Sequence, residues 1–205
     1  MESNRGLFQP RQTDRAPSVQ QPIMSKAEIY LSVDIEASGP VPPEYSMLSI
    51  GACIVDDIET SFYEELKPIS ERFLPKAIKV VGKPMEYFAE HGKDPKIAME
   101  KFKTWIESTT AEKTPIFVGF NAAFDWAFIN WYFHTYSDKN PFDIAPIDIK
   151  SLFMGFEGCH WKDTRSSRIP DRFKGPLKQT HHALDDAKAQ AQIFERILKH
   201  AQDRR

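Results

Sequence analysis

The chain is poor in cysteine. Cys53 and Cys159 are the only two in 205 residues, too few for a disulfide framework. Cys53 falls inside an apolar run and reads as core. Cys159 is followed by His160, but no second pair stands at ligand spacing, so a zinc site is not expected. No apolar run approaches about eighteen residues, the length of a membrane span, and the first residues carry no apolar signal-peptide core. The expectation is a reducing, cytoplasmic setting with no membrane partner. Neither sign of charge is in excess: 27 Lys and Arg oppose 29 Asp and Glu, a net of −2. That balance argues against a protein held to long nucleic acid mainly by phosphate neutralisation. It leaves room for one that grips a few nucleotides at a metal site. Internal repeats are also absent.

The composition that remains, 41% hydrophobic with 12% aromatic, fits one globular domain with a real core. Residues 1–25 are rich in Gln, Pro, Arg and Ser without hydrophobic period, and are expected to form a disordered extension. The folded domain is placed at 26–205, with Met24 a candidate natural start. Ile29, Leu31, Val33 and Ile35 alternate with Tyr30, Ser32, Asp34 and Glu36, the period of a strand with one apolar face. Met47 to Val55 is almost wholly apolar, as in a strand covered on both sides, and Ser61 to Leu66 returns as a third strand. Short helices broken at Pro75 and Pro84 are expected between Glu71 and His91. Asp94-Pro95 opens a helix over Lys96 to Ser108, with Ile97, Phe102, Trp105 and Ile106 turned inward. Pro115 to Phe120 is a central strand, Trp126 to Tyr136 a helix, Asp143 to Ile147 a short fifth strand, and Asp148 the cap of a helix reaching Met154. Glu157 to Gln179 reads as a long loop, and Gly158 to Thr180 carries six basic residues against Asp163 and Asp171. The last helix spans His182 to Gln202, with Ala183, Ala187, Ala191, Phe194 and Leu198 buried. The sum is an α/β fold: a mixed five-stranded sheet, three antiparallel strands and then parallel crossovers, flanked by helices.

The chemistry lies in the acids. Asp34 and Glu36 project from the same face of the first strand. Two ionised carboxylates about 4 Å apart repel by roughly 4 kcal/mol at an effective dielectric near 20, so a core strand needs a proton or a cation between them. The bland alternative is an edge strand whose polar face is wet. Asp125 follows the carboxyl end of a buried strand, where α/β sheets open their crevice. Asp186 sits one turn into the last helix. His181 is about 140° from it around an unbroken helix, so the two share a site only if His181 lies on the entering loop. Four carboxylates without thiolate suit Mg²⁺ or Mn²⁺. Two such ions can clamp both oxygens of a phosphodiester displacement, with a histidine near neutrality taking the proton from water.

Asp34-Ile35-Glu36, Asn121-Ala122-Ala123-Phe124-Asp125 and His181-His182-Ala183-Leu184-Asp185-Asp186 together resemble the three motifs of the DEDDh (DnaQ-like) 3′–5′ exonucleases, whose fold is ribonuclease H-like. The likeness spans about Tyr30 to Leu198. It implies that Asp34, Glu36, Asp125 and Asp186 hold two divalent cations, Mg²⁺ or Mn²⁺, and that His181 is the general base. It further implies a nucleic acid, DNA or RNA, cut from a free 3′ end to nucleoside 5′-monophosphates. Many members dimerise, so a homodimer is an expectation of the resemblance. Ala37, Ser38, Asn121 and Phe124 are the candidate substrate-binding residues. Many members continue the first motif as Asp-x-Glu-Thr-Thr-Gly; Ser38 keeps a hydroxyl, whereas Ala37 has none for a terminal ribose. Phe120, Phe124 and Phe128 are either a stacking surface for bases or core, and core is favoured for Phe128. Asn121 either bonds substrate or braces its loop. Two rival readings remain: a catalytically silent nuclease-like binding module, and a metal enzyme acting on small phosphoesters.

Overall fold

The computed structural model describes residues 27–142 and 144–203. The expected disordered extension, Met24 and Asp143 lie outside them. Five strands form one sheet in the order β3-β2-β1-β4-β5. β1 (Glu28–Ala37), β2 (Met47–Ile54) and β3 (Asp57–Glu65) make an antiparallel meander. β4 (Thr114–Gly119) and the two-residue β5 (Ile147–Asp148) then add in parallel. The mixed α/β sheet read from the sequence is therefore the fold observed.

Helices cover both faces of the sheet. α1 (Pro75–Val81) and α2 (Met85–His91) follow β3, and α3 (Pro95–Thr110) leads into β4. α4 (Ala123–Tyr136) connects β4 to β5, α5 (Ile149–Glu157) follows directly, and α6 (Ala183–Asp203) closes the chain. Two apolar clusters result. Leu31, Val33 and Ile35 of β1 pack with Phe102, Ile106, Phe128 and Tyr132 of α3 and α4. On the opposite face Cys53, Val118, Phe153, Phe194 and Ile197 gather around α5 and α6. No helix among the described residues is long and apolar enough to cross a membrane.

Four local expectations are corrected. Ile97 points to solvent, 54% exposed, and Ala98 and Met99 are buried in its place; the inward arc of α3 is rotated by one residue. Prolines 75 and 84 open helices instead of breaking them, as Pro75 is the first residue of α1 and Pro84 precedes α2. The fifth strand is Ile147–Asp148 alone. The long basic loop is not structureless: it folds into three 3-10 turns, Trp161–Asp163, Ser166–Arg168 and Asp171–Phe173. Those turns place Ile169 and Phe173 in the second cluster.

The second face of β1 is not wet. Tyr30 meets the Phe194 ring edge-on at 5.2 Å, and the Ser32 hydroxyl donates to the Ala187 carbonyl at 2.8 Å. Asp34 and Glu36 continue this face under the start of α6. The close approach depends on Gly51, which stands opposite Asp34 in the β1–β2 ladder. A Cβ at position 51 would lie 2.2 Å from the Ala183 carbonyl carbon and the Leu184 nitrogen. These are backbone atoms that cannot step aside alone. Gly51→Ala is expected to lower unfolding stability by about 1–3 kcal/mol, the usual cost of overpacking. Urea melts would read the loss, and faster amide exchange in the first turns of α6 would locate it.

Candidate active site and metal centre

The site is built where β4 ends and the adjacent β1 continues. Their parallel pairing stops at Ser32 with Val118, so β1 runs on beyond its neighbour and carries Asp34 and Glu36 into the crevice. β4 turns through Asn121 into α4, and Asp125 falls in the first turn of that helix. The Asp125 Oδ1 accepts the Ile35 backbone N–H at 3.1 Å. The second-motif acid is thereby fastened between the two acids of the first. Asp186 enters from above on α6, buried, and its Oδ1 accepts the Thr180 N–H at 2.6 Å. Ligand atoms of Glu36, His181 and Asp186 lie within 4.8 Å of one another.

The histidine is delivered by a strained loop. His181 has φ 62 and Asn121 φ 69, left-handed values that cost a non-glycine residue energy. Hydrogen bonds hold both turns. Asn121 and Ala122 donate their N–H groups to Asp148 Oδ1 at 2.9 and 3.1 Å. Next to His181, His182 stacks on Tyr63 at 4.5 Å. The Tyr63 hydroxyl donates to Glu65 Oε1 at 2.9 Å, and Lys83 Nζ pairs with the same oxygen at 2.5 Å. His181 itself is exposed, free to meet a ligand from solvent.

Electrostatics sharpen the need for cations. Burial holds Asp34 well above the ordinary carboxylate range, and the charges of Asp125, Asp186 and Glu36 push it the same way. Burial raises Glu36 to about 8, with Asp186 and Asp125 adding to the effect. Asp125 is also raised to about 8 by burial, against the opposing pull of the Ile35 N–H. Asp186 is raised by burial, partly offset by the Thr180 and His181 N–H groups. Four acids that resist ionisation individually, in an oxygen-rich cluster with one imidazole, fit hard divalent cations.

The structure brings Asp34, Glu36, Asp125, Asp186 and His181 together. It treats the other candidates unequally. Ala37 and Phe124 line an open trough of about 360 Å³ beside Glu36, with Gly39, Pro40, Leu74, Lys76, Ala77 and Val80. Ser38 does not join them. It is fully buried; its hydroxyl donates to the Arg72 carbonyl at 2.9 Å and accepts the Ser46 N–H at 2.9 Å. Its oxygen is spent on its own loop, so no donor faces a substrate. Phe128 is core at 0% exposure, with Phe124 edge-on to it at 5.4 Å. Phe120 packs against the second cluster. Asn121 is exposed and its Oδ1 accepts from Lys150 Nζ at 3.4 Å.

Sequence reasoning missed three contributors. Gln190 bridges two strands: its Nε2 donates to the Val33 carbonyl at 2.8 Å and its Oε1 accepts the Phe120 N–H at 2.7 Å. The available signal was an amide between Ala187 and Ala191 on a buried stripe. Asp148 caps α5, as expected, but the same carboxylate also braces the Asn121 turn. The α1 wall of the trough carried no signal, because Leu74 and Val80 are ordinary apolar residues far from any motif.

The model of the Rv2179c-like 3′–5′ exoribonuclease domain matches residues 29–198. A protein of Escherichia coli named 3′–5′ DNA exonuclease Cap18 is 50% identical over 173 residues, 84% of this chain and 92% of that protein. Among solved structures, the nuclease domain of 3′hExo, a DEDDh family member bound to rAMP, superposes with a TM-score of 0.70. The match has 16% identity and covers 85% of this chain and 93% of that one. Pop2p of S. pombe, in a form with Mg²⁺ and Mn²⁺ bound, gives a TM-score of 0.63 at 15% identity, over 85% and 84% of the two chains. E. coli exonuclease I in complex with a dT13 oligonucleotide gives 0.64 at 15% identity, over 86% of this chain and 42% of that one. At these identities the structural matches speak for the fold.

The raised carboxyls make a linkage prediction. In the unfolded chain these acids ionise in the ordinary range, near 4.5 for Glu36, whereas in the folded chain Glu36 holds its proton to about 8. The folded state therefore binds more protons between those values, and stability falls as pH rises through the window. Without divalent ions, the melting temperature is expected to drop from pH 5 to pH 8. Added Mg²⁺ or Mn²⁺ should restore it, more at pH 8 than at pH 5. Asp34→Asn should flatten the pH dependence in thermal melts.

Proposed function

The chain belongs to the Rv2179c-like 3′–5′ exoribonuclease domain family and is a 3′–5′ exonuclease, and from that premise we propose its substrate, its product and the work of each site residue. The substrate is a single strand or short stretch of nucleic acid with a free 3′ end, and the product is a nucleoside 5′-monophosphate. The observation that carries this reading is the convergence of Asp34, Glu36, Asp125 and Asp186 beside the exposed imidazole of His181.

Asp34, Glu36, Asp125 and Asp186 would hold two divalent cations, Mg²⁺ or Mn²⁺, which would supply positive charge to the scissile phosphate and lower the pKa of the attacking water. His181 takes the proton released by that water. Asp125, tied to Ile35, and Asp186, tied to Thr180, keep the acids from drifting apart under their own repulsion. The terminal nucleoside lies in the trough against Leu74, Val80 and Phe124, and Lys76 adds a positive charge to its wall. DNA is the preferred strand. This follows the relative at 50% identity, which is named a DNA exonuclease, over the family model's description as an exoribonuclease domain, and Ala37 offers no hydroxyl to a terminal ribose.

Asp125→Asn is expected to abolish release of mononucleotides from a 5′-labelled oligonucleotide while leaving the fold intact by circular dichroism. Undiminished release would refute the assignment. His181→Ala should lower turnover about 10²–10⁴-fold with metal affinity kept in calorimetric titration. Loss of that affinity would make the imidazole a ligand instead of a base. A 3′-phosphate should block the reaction, and a closed circular strand should survive.

A further inference from the structure

Just after α5 stands an exposed aromatic side chain that belongs to neither apolar cluster. Trp161 opens the first 3-10 turn after α5 and is 52% exposed. Lys150 Nζ lies 4.0 Å from the centre of its ring and 3.4 Å from Asn121 Oδ1. Asn121 is four residues before Asp125 and begins the turn that Asp148 braces. The indole and the ammonium are thereby linked, through one amide, to the edge of the acid cluster. An indole that is half exposed gains nothing for the fold from its outward face, and its inward neighbour is a cation.

The surrounding charge is divided. Arg168 pairs with Asp163, Arg172 with Glu157 and Lys174 with Asp171, so half of the basic residues of this segment are neutralised internally. Lys162 and Arg165, one and four residues after the indole, are exposed and form no salt bridge among the described residues. An open π-face, a cation beside it and two unpaired basic groups are the elements of a platform for single strands, in which a base stacks and its phosphates meet positive charge.

We propose that Trp161 and Lys150 form a second binding subsite, which takes a base and phosphate of a single strand upstream of the nucleotide being removed. The subsite presupposes the nuclease reading above, since it is the Asn121 turn that joins it to the acids. It makes the enzyme sensitive to strand length: a dinucleotide ends before the platform, and a longer strand reaches it. The indole is sequence-tolerant, because every base has a face to stack.

The test compares dT2 with dT8. In Mg²⁺, the wild-type ratio of kcat/KM for dT8 over dT2 is expected to exceed one, and Trp161→Ala should reduce it about tenfold, in the range for one stacked base. Trp161→Phe should retain part of the gain. In EDTA, where no cleavage occurs, fluorescence anisotropy of 5′-fluorescein-dT8 should show weaker binding to Trp161→Ala. Lys150→Met should lower the salt dependence of that binding by about one ion. An unchanged length ratio and unchanged dT8 affinity in Trp161→Ala would overturn the proposal, as would a wild-type protein that gains nothing from length. A wild-type protein that cleaves neither strand, yet binds dT8 through Trp161, would refute the nuclease reading and leave the platform standing.

Discussion

The seat of α6 on the sheet is the contact on which the rest of the structure depends. A single amide, that of Gln190, reaches the ends of β1 and β4 together by accepting from Phe120 and donating to Val33. Ser32 adds a third buried polar bond to the same helix. Replacing such a group strands its partners away from water at about 1–3 kcal/mol each, so the helix has a fixed height and rotation over the strands. Because Asp186 is one turn before Gln190 on this helix, fixing the amide also fixes the acid. The absent side chain at Gly51 sets how near the helix can come.

That geometry gathers charges that a fold would otherwise keep apart. β1 runs on past the end of β4, α4 begins where β4 stops, and α6 closes over both. The acids arrive from three directions, and two of them are held by a backbone N–H: Asp125 by Ile35, Asp186 by Thr180. Two left-handed residues, Asn121 and His181, add local strain at the same place. Repulsion, burial and strain all oppose folding here, and the two apolar clusters on either side of the sheet supply the stability that tolerates them.

Much of this was legible in the chain. The alternation from Ile29 to Glu36 fixed the face on which two carboxylates stand, and the apolar runs of β2 and β4 marked them as doubly covered. The five-residue step from His181 to Asp186 required a loop before the helix, and the loop is there. What was hidden has physical reasons. Ile97 satisfied a helical period that Ala98 and Met99 satisfied equally well, and only the neighbouring strands decide between them. The turns after α5 are short, local and irregular, without a period to read, and Phe173 is buried by tertiary contact alone. Ser38 has the chemistry of a binding residue, but its hydroxyl is consumed by Arg72 and Ser46, partners on other parts of the loop system. Gln190 acts across 157 residues of separation from Val33, a distance at which composition carries no sign, and the α1 wall meets β1 from beyond two intervening strands.

The bond from the Thr180 amide to the Asp186 carboxylate reaches beyond its own geometry. One oxygen of that side chain anchors the peptide leading to the imidazole, and the same side chain stands among the acids. Asp186→Ala therefore deletes an acidic group and unmoors a neighbour in one stroke. A pairwise thermodynamic cycle between positions 181 and 186 will not sum as two independent losses.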